Sequence, residues 1–143
     1  MGTLTGSDLL AALADHFESR RPAGVISAYL FGSQATGAAH RESDVDVAVV
    51  VDREVLPDRG ARSNLQVRLT AELIAATHCN DTQVVIVNDA PPELAMAAVD
   101  GKRFYCSDSE ADFRFTLKVR IRYGDIAPWL RRYRRLKLEA LRS

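Results

Sequence analysis

The sequence predicts an α/β domain in which a small β-sheet is flanked by helices and followed by a helical C-terminal tail. Runs rich in valine, isoleucine and aromatic residues favour buried strands at 24–31, 44–51 and 81–87. Before, between and after these runs, apolar residues recur every three or four positions, which is the spacing of amphipathic helices. This alternation of strands and helices is typical of the α/β class.

The other elements follow from capping residues and prolines. Helices are predicted over 7–20, 61–78 and 91–101, a short edge strand over 102–106, and a last helix over 107–141. Ser7 is the predicted N-cap of the first helix, and Gly101 ends the third. Pro128 is expected to kink or divide the last helix, because proline lacks a backbone donor and clashes with the preceding turn.

Length and composition predict one domain over residues 1–143, with a core at about 24–106 and a helical segment at about 107–143. The chain is 47% hydrophobic and 27% charged, which is ordinary for a domain that buries a core. Cys79 and Cys106 lack the spacing of a zinc site or a disulfide framework, so reduced thiols and a cytoplasmic location are expected. The sequence indicates neither a signal peptide nor a membrane span.

The net charge of zero hides an uneven distribution. From Phe113 onward there are ten Lys or Arg against two Asp or Glu, so the tail is basic and the remainder acidic. The basic run 131–135 beside Trp129 allows three interpretations: a solvated helix face, a docking face for an acidic protein, or a nucleic-acid contact. Direct nucleic-acid binding is the interpretation we expect least.

Two aspartates, Asp44 and Asp46, begin the second valine-rich strand. Side chains two residues apart in a strand point to the same face, so these carboxylates should project together. Two carboxylates on one face repel each other unless a cation lies between them, and hard oxygen ligands suit Mg²⁺ or Mn²⁺. The pair therefore predicts a metal site.

A Gly-Ser pair, Gly32-Ser33, ends the first strand. Glycine allows the backbone to turn sharply or to approach a ligand closely, and serine offers a hydroxyl and an amide to a phosphate. A Gly-Ser pair alone is common in turns. Here ten residues separate the pair from Asp44, and this full spacing is far more specific than the pair. A phosphate-binding turn beside a carboxylate-held metal indicates a triphosphate site.

The pattern of Gly32-Ser33, a ten-residue gap and Asp44-Val45-Asp46 resembles the minimal nucleotidyltransferases (MNT) of the polymerase beta-like superfamily. The resemblance covers about residues 24–106 and implies a mixed sheet flanked by helices. Members carry a third carboxylate at the start of a later strand, which implies Asp81 as catalytic residue and metal ligand with Asp44 and Asp46. Thr36 stands where many members have an arginine, so a phosphate contact would be either absent or supplied by Arg41.

Free-standing members of this kind are similar to the MntA-type antitoxins of two-gene systems, whose partner is a HEPN-domain ribonuclease toxin. The resemblance implies a hetero-oligomer in which two Mg²⁺ ions and ATP support AMP transfer to a tyrosine hydroxyl of the toxin, silencing it. Two alternatives stay open: a small-molecule nucleotidyltransferase of the aminoglycoside-modifying type, and a non-catalytic module that neutralises a toxin by contact.

Overall fold

The computed structural model describes residues 4, 6–32, 35 and 44–142. The strands are β1 (Val25–Phe31), β2 (Val45–Val51), β3 (Thr82–Ile86) and β4 (Lys102–Cys106). The helices are α1 (Gly6–Arg20), α2 (Arg59–Thr77), α3 (Pro92–Val99) and α4 (Ser109–Arg142), with a single 3₁₀ turn at Val87–Asp89 after β3. In the described ranges, no helix is long and apolar enough to cross a membrane.

The strands form one mixed sheet in the order β3-β2-β1-β4. β1 pairs antiparallel with both β2 and β4, whereas β2 pairs parallel with β3. The predicted mixed sheet with flanking helices and a C-terminal helix is confirmed, and β4 lies at an edge as expected. The ends of β1 and β2 that carry the predicted motif residues are adjacent, because Phe31 pairs with Asp46.

Helices cover both faces of the sheet, which explains why β2 is a nearly continuous valine run. One core layer lies under α1 and α2, whose buried residues recur every fourth position: Leu9, Leu13 and Phe17 on α1, and Leu65, Leu69 and Leu73 on α2. The other layer includes Ala48 and Val50 of β2, Ala95 and Ala98 of α3, and Phe115 of α4. Asp46 shares the face of Ala48 and Val50 because strand side chains alternate.

A buried carboxylate fastens the start of α4 to the sheet. Asp112 is 3% exposed and accepts hydrogen bonds from Ser27 Oγ at 2.5 Å, Tyr29 Oη at 2.7 Å and Arg103 Nη1 at 2.9 Å. Burial, and next the hydrogen bond to Asp112, raise the pKa of Tyr29 above its ordinary value, so its hydroxyl stays protonated and keeps donating. The network joins α4 to β1 and β4.

The last helix contradicts the expectation that Pro128 would divide it. Pro128 lies inside α4, which runs without division from Ser109 to Arg142. Pro128 is exposed, so water can satisfy the carbonyl of Gly124, which loses its helical donor. The proline therefore removes one hydrogen bond without ending the helix.

Candidate active site

Two carboxylates lie where β2 begins. Asp44 immediately precedes the strand and is exposed, and Asp46 is its second residue and is half-buried. Burial raises the pKa of Asp46 above its ordinary value, and the negative charge of Asp44 raises it further. The negative charges of Asp44 and Asp46 therefore repel each other, and a cation held between them would offset both this repulsion and the cost of burying the Asp46 carboxylate.

Gly32, which follows β1, has no side chain and so allows the backbone to lie directly against the Asp46 carboxylate. Its φ is +76°, in the left-handed region, and a Cβ placed on it would lie 2.6 Å from Asp46 Oδ2. Only glycine meets both conditions without strain. The backbone of this turn and the Asp46 carboxylate consequently form one continuous surface. Ser33 and Arg41, the other predicted nucleotide-binding residues, lie outside the described residues, so their roles remain predictions.

Replacing Gly32 with alanine is expected to lower the free energy of unfolding by about 1–3 kcal/mol, because a side chain at positive φ is strained and its Cβ would collide with Asp46. Nucleotidyl transfer should fall as well, because relief of the collision moves the Asp46 carboxylate. Urea denaturation and a transfer assay with labelled ATP measure the two effects.

Two glycines separate the causes in that experiment. Gly6 has φ +61° with open space around it, so Gly6→Ala tests backbone strain without collision. Gly124 lies within α4 in open space, and Gly124→Ala is expected to stabilise the protein by about 0.5–1 kcal/mol. Full transfer activity in Gly32→Ala would contradict the placement of Asp46 at the site.

The parallel pairing of β3 with β2 decides which residue stands beside Asp46. Val45 pairs with Thr82, and Asp46 pairs with Gln83. Asp81 lies in the turn one residue before β3, is exposed, and accepts a hydrogen bond through its carbonyl from Val45 N at 3.1 Å. In the described part of the chain, no three Asp, Glu, His or Cys side chains lie close enough together to hold a metal ion. Asp81 as third ligand stays a prediction.

The donors at this end of the sheet nevertheless fit a hard divalent cation. Asp44 and Asp46 supply carboxylate oxygens whose mutual repulsion a cation would offset, and Gln83 adds a neutral amide oxygen at the neighbouring position. Analysis of the sequence missed Gln83. The signal was present, since a strand that starts at Thr82 places Gln83 on the face opposite the buried Thr82 and Val84.

A cleft of about 580 Å³ opens beside the Gly32 turn. Its lining includes Phe31, Ala97, Asp100 and Lys102, and its volume is in the range of small-molecule sites. Gly101 brings the chain into position there, because a Cβ at this residue would lie 2.3 Å from the carbonyl oxygen of Leu30. Lys102, which together with Gly101 was part of the family resemblance, lines the cleft beside the turn.

Comparison with known protein families identifies the family of this chain. Residues 13–110 match the family described as "Polymerase beta, Nucleotidyltransferase", which covers more than half of the chain. The chain belongs to this nucleotidyltransferase family. The match contains both the Gly32 turn and Asp44 and Asp46, so the carboxylates at the head of β2 lie within the family's domain. No curated protein matches this nucleotidyltransferase at a significant level.

Solved structures with the same fold include antitoxins of toxin–antitoxin pairs. A toxin–antitoxin crystal structure with AMP-PNP is 24% identical with a TM-score of 0.61, covering 94% of this chain and 98% of that one. The structure of a tri-AMPylated Shewanella oneidensis HEPN toxin in complex with MNT antitoxin contains a chain that is 19% identical with a TM-score of 0.61, at 94% and 97% coverage. The MntA-HepT toxin–antitoxin crystal structure gives the same four values. At these identities the likeness shows that this nucleotidyltransferase shares their fold.

Proposed function

We propose that this nucleotidyltransferase is a metal-dependent protein adenylyltransferase that acts as an antitoxin. It transfers AMP from ATP to a tyrosine hydroxyl of a HEPN ribonuclease toxin and thereby silences it. The observation that carries the proposal is that Asp46, close enough to Asp44 to be affected by its charge, lies against the backbone of Gly32 at the head of β2. The same fold in an antitoxin crystallised with AMP-PNP, and in one bound to an AMPylated HEPN toxin, supports the donor and the acceptor.

In the proposed reaction, the tyrosine oxygen forms a bond to the α-phosphorus of ATP. The bond from that phosphorus to the oxygen bridging the β-phosphate breaks, pyrophosphate leaves, and the hydroxyl proton passes to Asp81 or to water. Asp44, Asp46 and Asp81 would hold Mg²⁺, which supplies neutralisation of the charge on the attacking and leaving oxygens. Gly32, Ser33 and Arg41 would bind the β- and γ-phosphates. We propose the cytoplasm as the location of the reaction, because ATP is the proposed donor and Cys79 and Cys106 are free thiols.

The acceptor is expected to be a protein, since α4 presents apolar side chains to solvent. Trp129, Tyr133 and Leu136 are 71%, 65% and 53% exposed and recur at a spacing of four and three residues. We name these three residues the distal patch. Aromatic side chains exposed together on one helix face are typical of protein contacts. In the proposal, the distal patch binds the HEPN toxin and holds its tyrosine within reach of the site.

A direct test combines the purified protein, ATP, Mg²⁺ and the HEPN-like protein of the neighbouring gene, followed by intact mass spectrometry of the toxin. The expected result is a mass increase of one or more adenylyl groups on tyrosine, lost on chelation of the metal. The double variant Asp44→Ala with Asp46→Ala should lose both modification and protection of cells. Full protection by that variant would instead establish neutralisation by contact, and transfer to aminoglycosides alone would establish a small-molecule enzyme.

The double variant Trp129→Ala with Tyr133→Ala is expected to weaken toxin binding by about 10- to 100-fold, because truncated aromatic anchors commonly cost 1–3 kcal/mol in all. Isothermal titration calorimetry with the toxin measures this affinity. Leu138→Ala is the matched control, because Leu138 is 56% exposed but lies on the opposite side of α4 from Trp129. Unchanged toxin affinity in the double variant would remove the distal patch from the interface.

A further inference from the structure

Gln83 is the polar residue of β3 that faces the site. Along this strand Thr82, Val84 and Ile86 are buried on the side of α1 and α2, whereas Gln83 and Val85 point to the other side. Val85 packs at the border of the second core layer, and Gln83 lies beyond that border, exposed. Its carboxamide therefore extends over the same surface as Asp46.

The register fixes how close the two side chains stand. Gln83 and Asp46 are direct partners in the parallel pair, and neighbouring strands lie about 4.8 Å apart with paired side chains projecting side by side. Asp81 comes two residues earlier, in the turn, at the level of Asp44. Gln83 is thus the direct neighbour of Asp46 on β3, as Phe31 is on β1, and a ligand held by the Asp46 carboxylate lies within reach of the Gln83 amide.

The carboxamide of Gln83 is a suitable ligand for a cation held beside Asp46. In the described ranges, the carboxamide of Gln83 makes no hydrogen bond to another residue, so its oxygen is available to a ligand. A third carboxylate beside Asp46 would add to the repulsion that already exists between Asp44 and Asp46. An amide oxygen coordinates a hard cation without adding charge.

We infer that Gln83 completes the site as a neutral oxygen ligand beside Asp46, so that the protein binds divalent cations strongly only together with the triphosphate. The inference rests on the proposed function for the identity of the nucleotide. Its physical basis is the charge of the protein ligands: the amide of Gln83 brings no negative charge to the position beside Asp46, so the phosphate oxygens must supply more of the compensating charge there.

The test is a titration with Mn²⁺, followed by the electron paramagnetic resonance signal of the free ion, with and without a non-hydrolysable ATP analogue. Gln83→Glu adds a carboxylate beside Asp46 and is expected to tighten Mn²⁺ binding about tenfold in the absence of nucleotide. Gln83→Leu keeps the size but removes the oxygen, and should weaken Mn²⁺ binding in the nucleotide complex about tenfold. Asn64→Leu, the same amide-to-alkyl change at an exposed position of α2, should change neither affinity.

The outcomes separate this inference from the proposed function. Equal Mn²⁺ affinities in wild type, Gln83→Glu and Gln83→Leu would overturn the role of Gln83, even if AMP transfer to the toxin is observed. Mn²⁺ affinities that shift as stated, without any transfer to a toxin, would support Gln83 as a ligand and overturn the proposed acceptor. A gain of affinity in Gln83→Glu cannot arise from misfolding, which protects the test against that ambiguity.

Discussion

Asp46→Asn is expected to reduce nucleotidyl transfer at least about a hundredfold while the fold is retained. The substitution keeps the shape of the side chain but removes the charge that holds the cation and stabilises the transition state. The rate of AMP transfer from labelled ATP measures the effect. Asp15→Asn, the same change at an exposed position of α1, is the matched control and should retain full activity. Wild-type transfer in Asp46→Asn would remove this residue from the mechanism.

The same substitution should raise the stability of the metal-free protein at neutral pH. The folded-state pKa of Asp46 lies above its ordinary value, first because of burial and then because of Asp44, so folding disfavours its ionised form. The unfavourable contribution is absent below the unfolded pKa, grows as the pH rises from the unfolded to the folded pKa, and is complete above the folded pKa. A higher midpoint in urea for Asp46→Asn at pH 7 than for wild type, with the difference vanishing in acid, is the expected result.

Asp112→Ala is expected to lower the free energy of unfolding by about 2–4 kcal/mol, the largest loss of stability that we predict for one polar residue. The variant leaves the hydroxyls of Ser27 and Tyr29 without their shared acceptor in the protein interior. Arg103 loses less, because its side chain is 45% exposed and water can replace the carboxylate. Urea denaturation at neutral pH measures the change.

Asp125→Ala is the control for that experiment, because Asp125 is an exposed carboxylate on the same helix. Its effect on the free energy of unfolding should stay within about 0.5 kcal/mol. A loss below about 1 kcal/mol in Asp112→Ala would mean that the apolar contacts of Phe115 and Val119 hold α4 on the sheet without the buried network.

The sequence alone was sufficient for the elements whose signal is local. The valine runs predicted β1 and β2, and the alternation of strand side chains predicted that Asp44 and Asp46 share a face. The alternation within β3 indicates the face on which Gln83 lies, but its position beside Asp46 depends on the register between two strands, which local sequence does not determine. Asp112 was missed because an acidic residue in the first turn of a helix usually indicates a solvated face, whereas its partners here come from β1 and β4.

Pro128 is a case in which the surroundings outweigh a strong local signal, the tendency of proline to interrupt a helix. The rule that proline interrupts a helix assumes that the freed carbonyl has no other donor. On the solvent-exposed side of α4, water can donate a hydrogen bond to the freed carbonyl. Ala127, the residue before Pro128, is buried. Packing on one side and hydration on the other keep the helix continuous.

The continuity of α4 has a consequence for recognition. The helix of 34 residues is about 51 Å long. Arg134, six residues after Pro128, forms an ion pair with Glu93 of α3, so α4 contacts the rest of the protein beyond its proline. A binding partner therefore meets a surface that is already ordered and loses little conformational entropy in shaping it. Association can proceed as the docking of two rigid bodies, with the strength of the complex set by how slowly they separate.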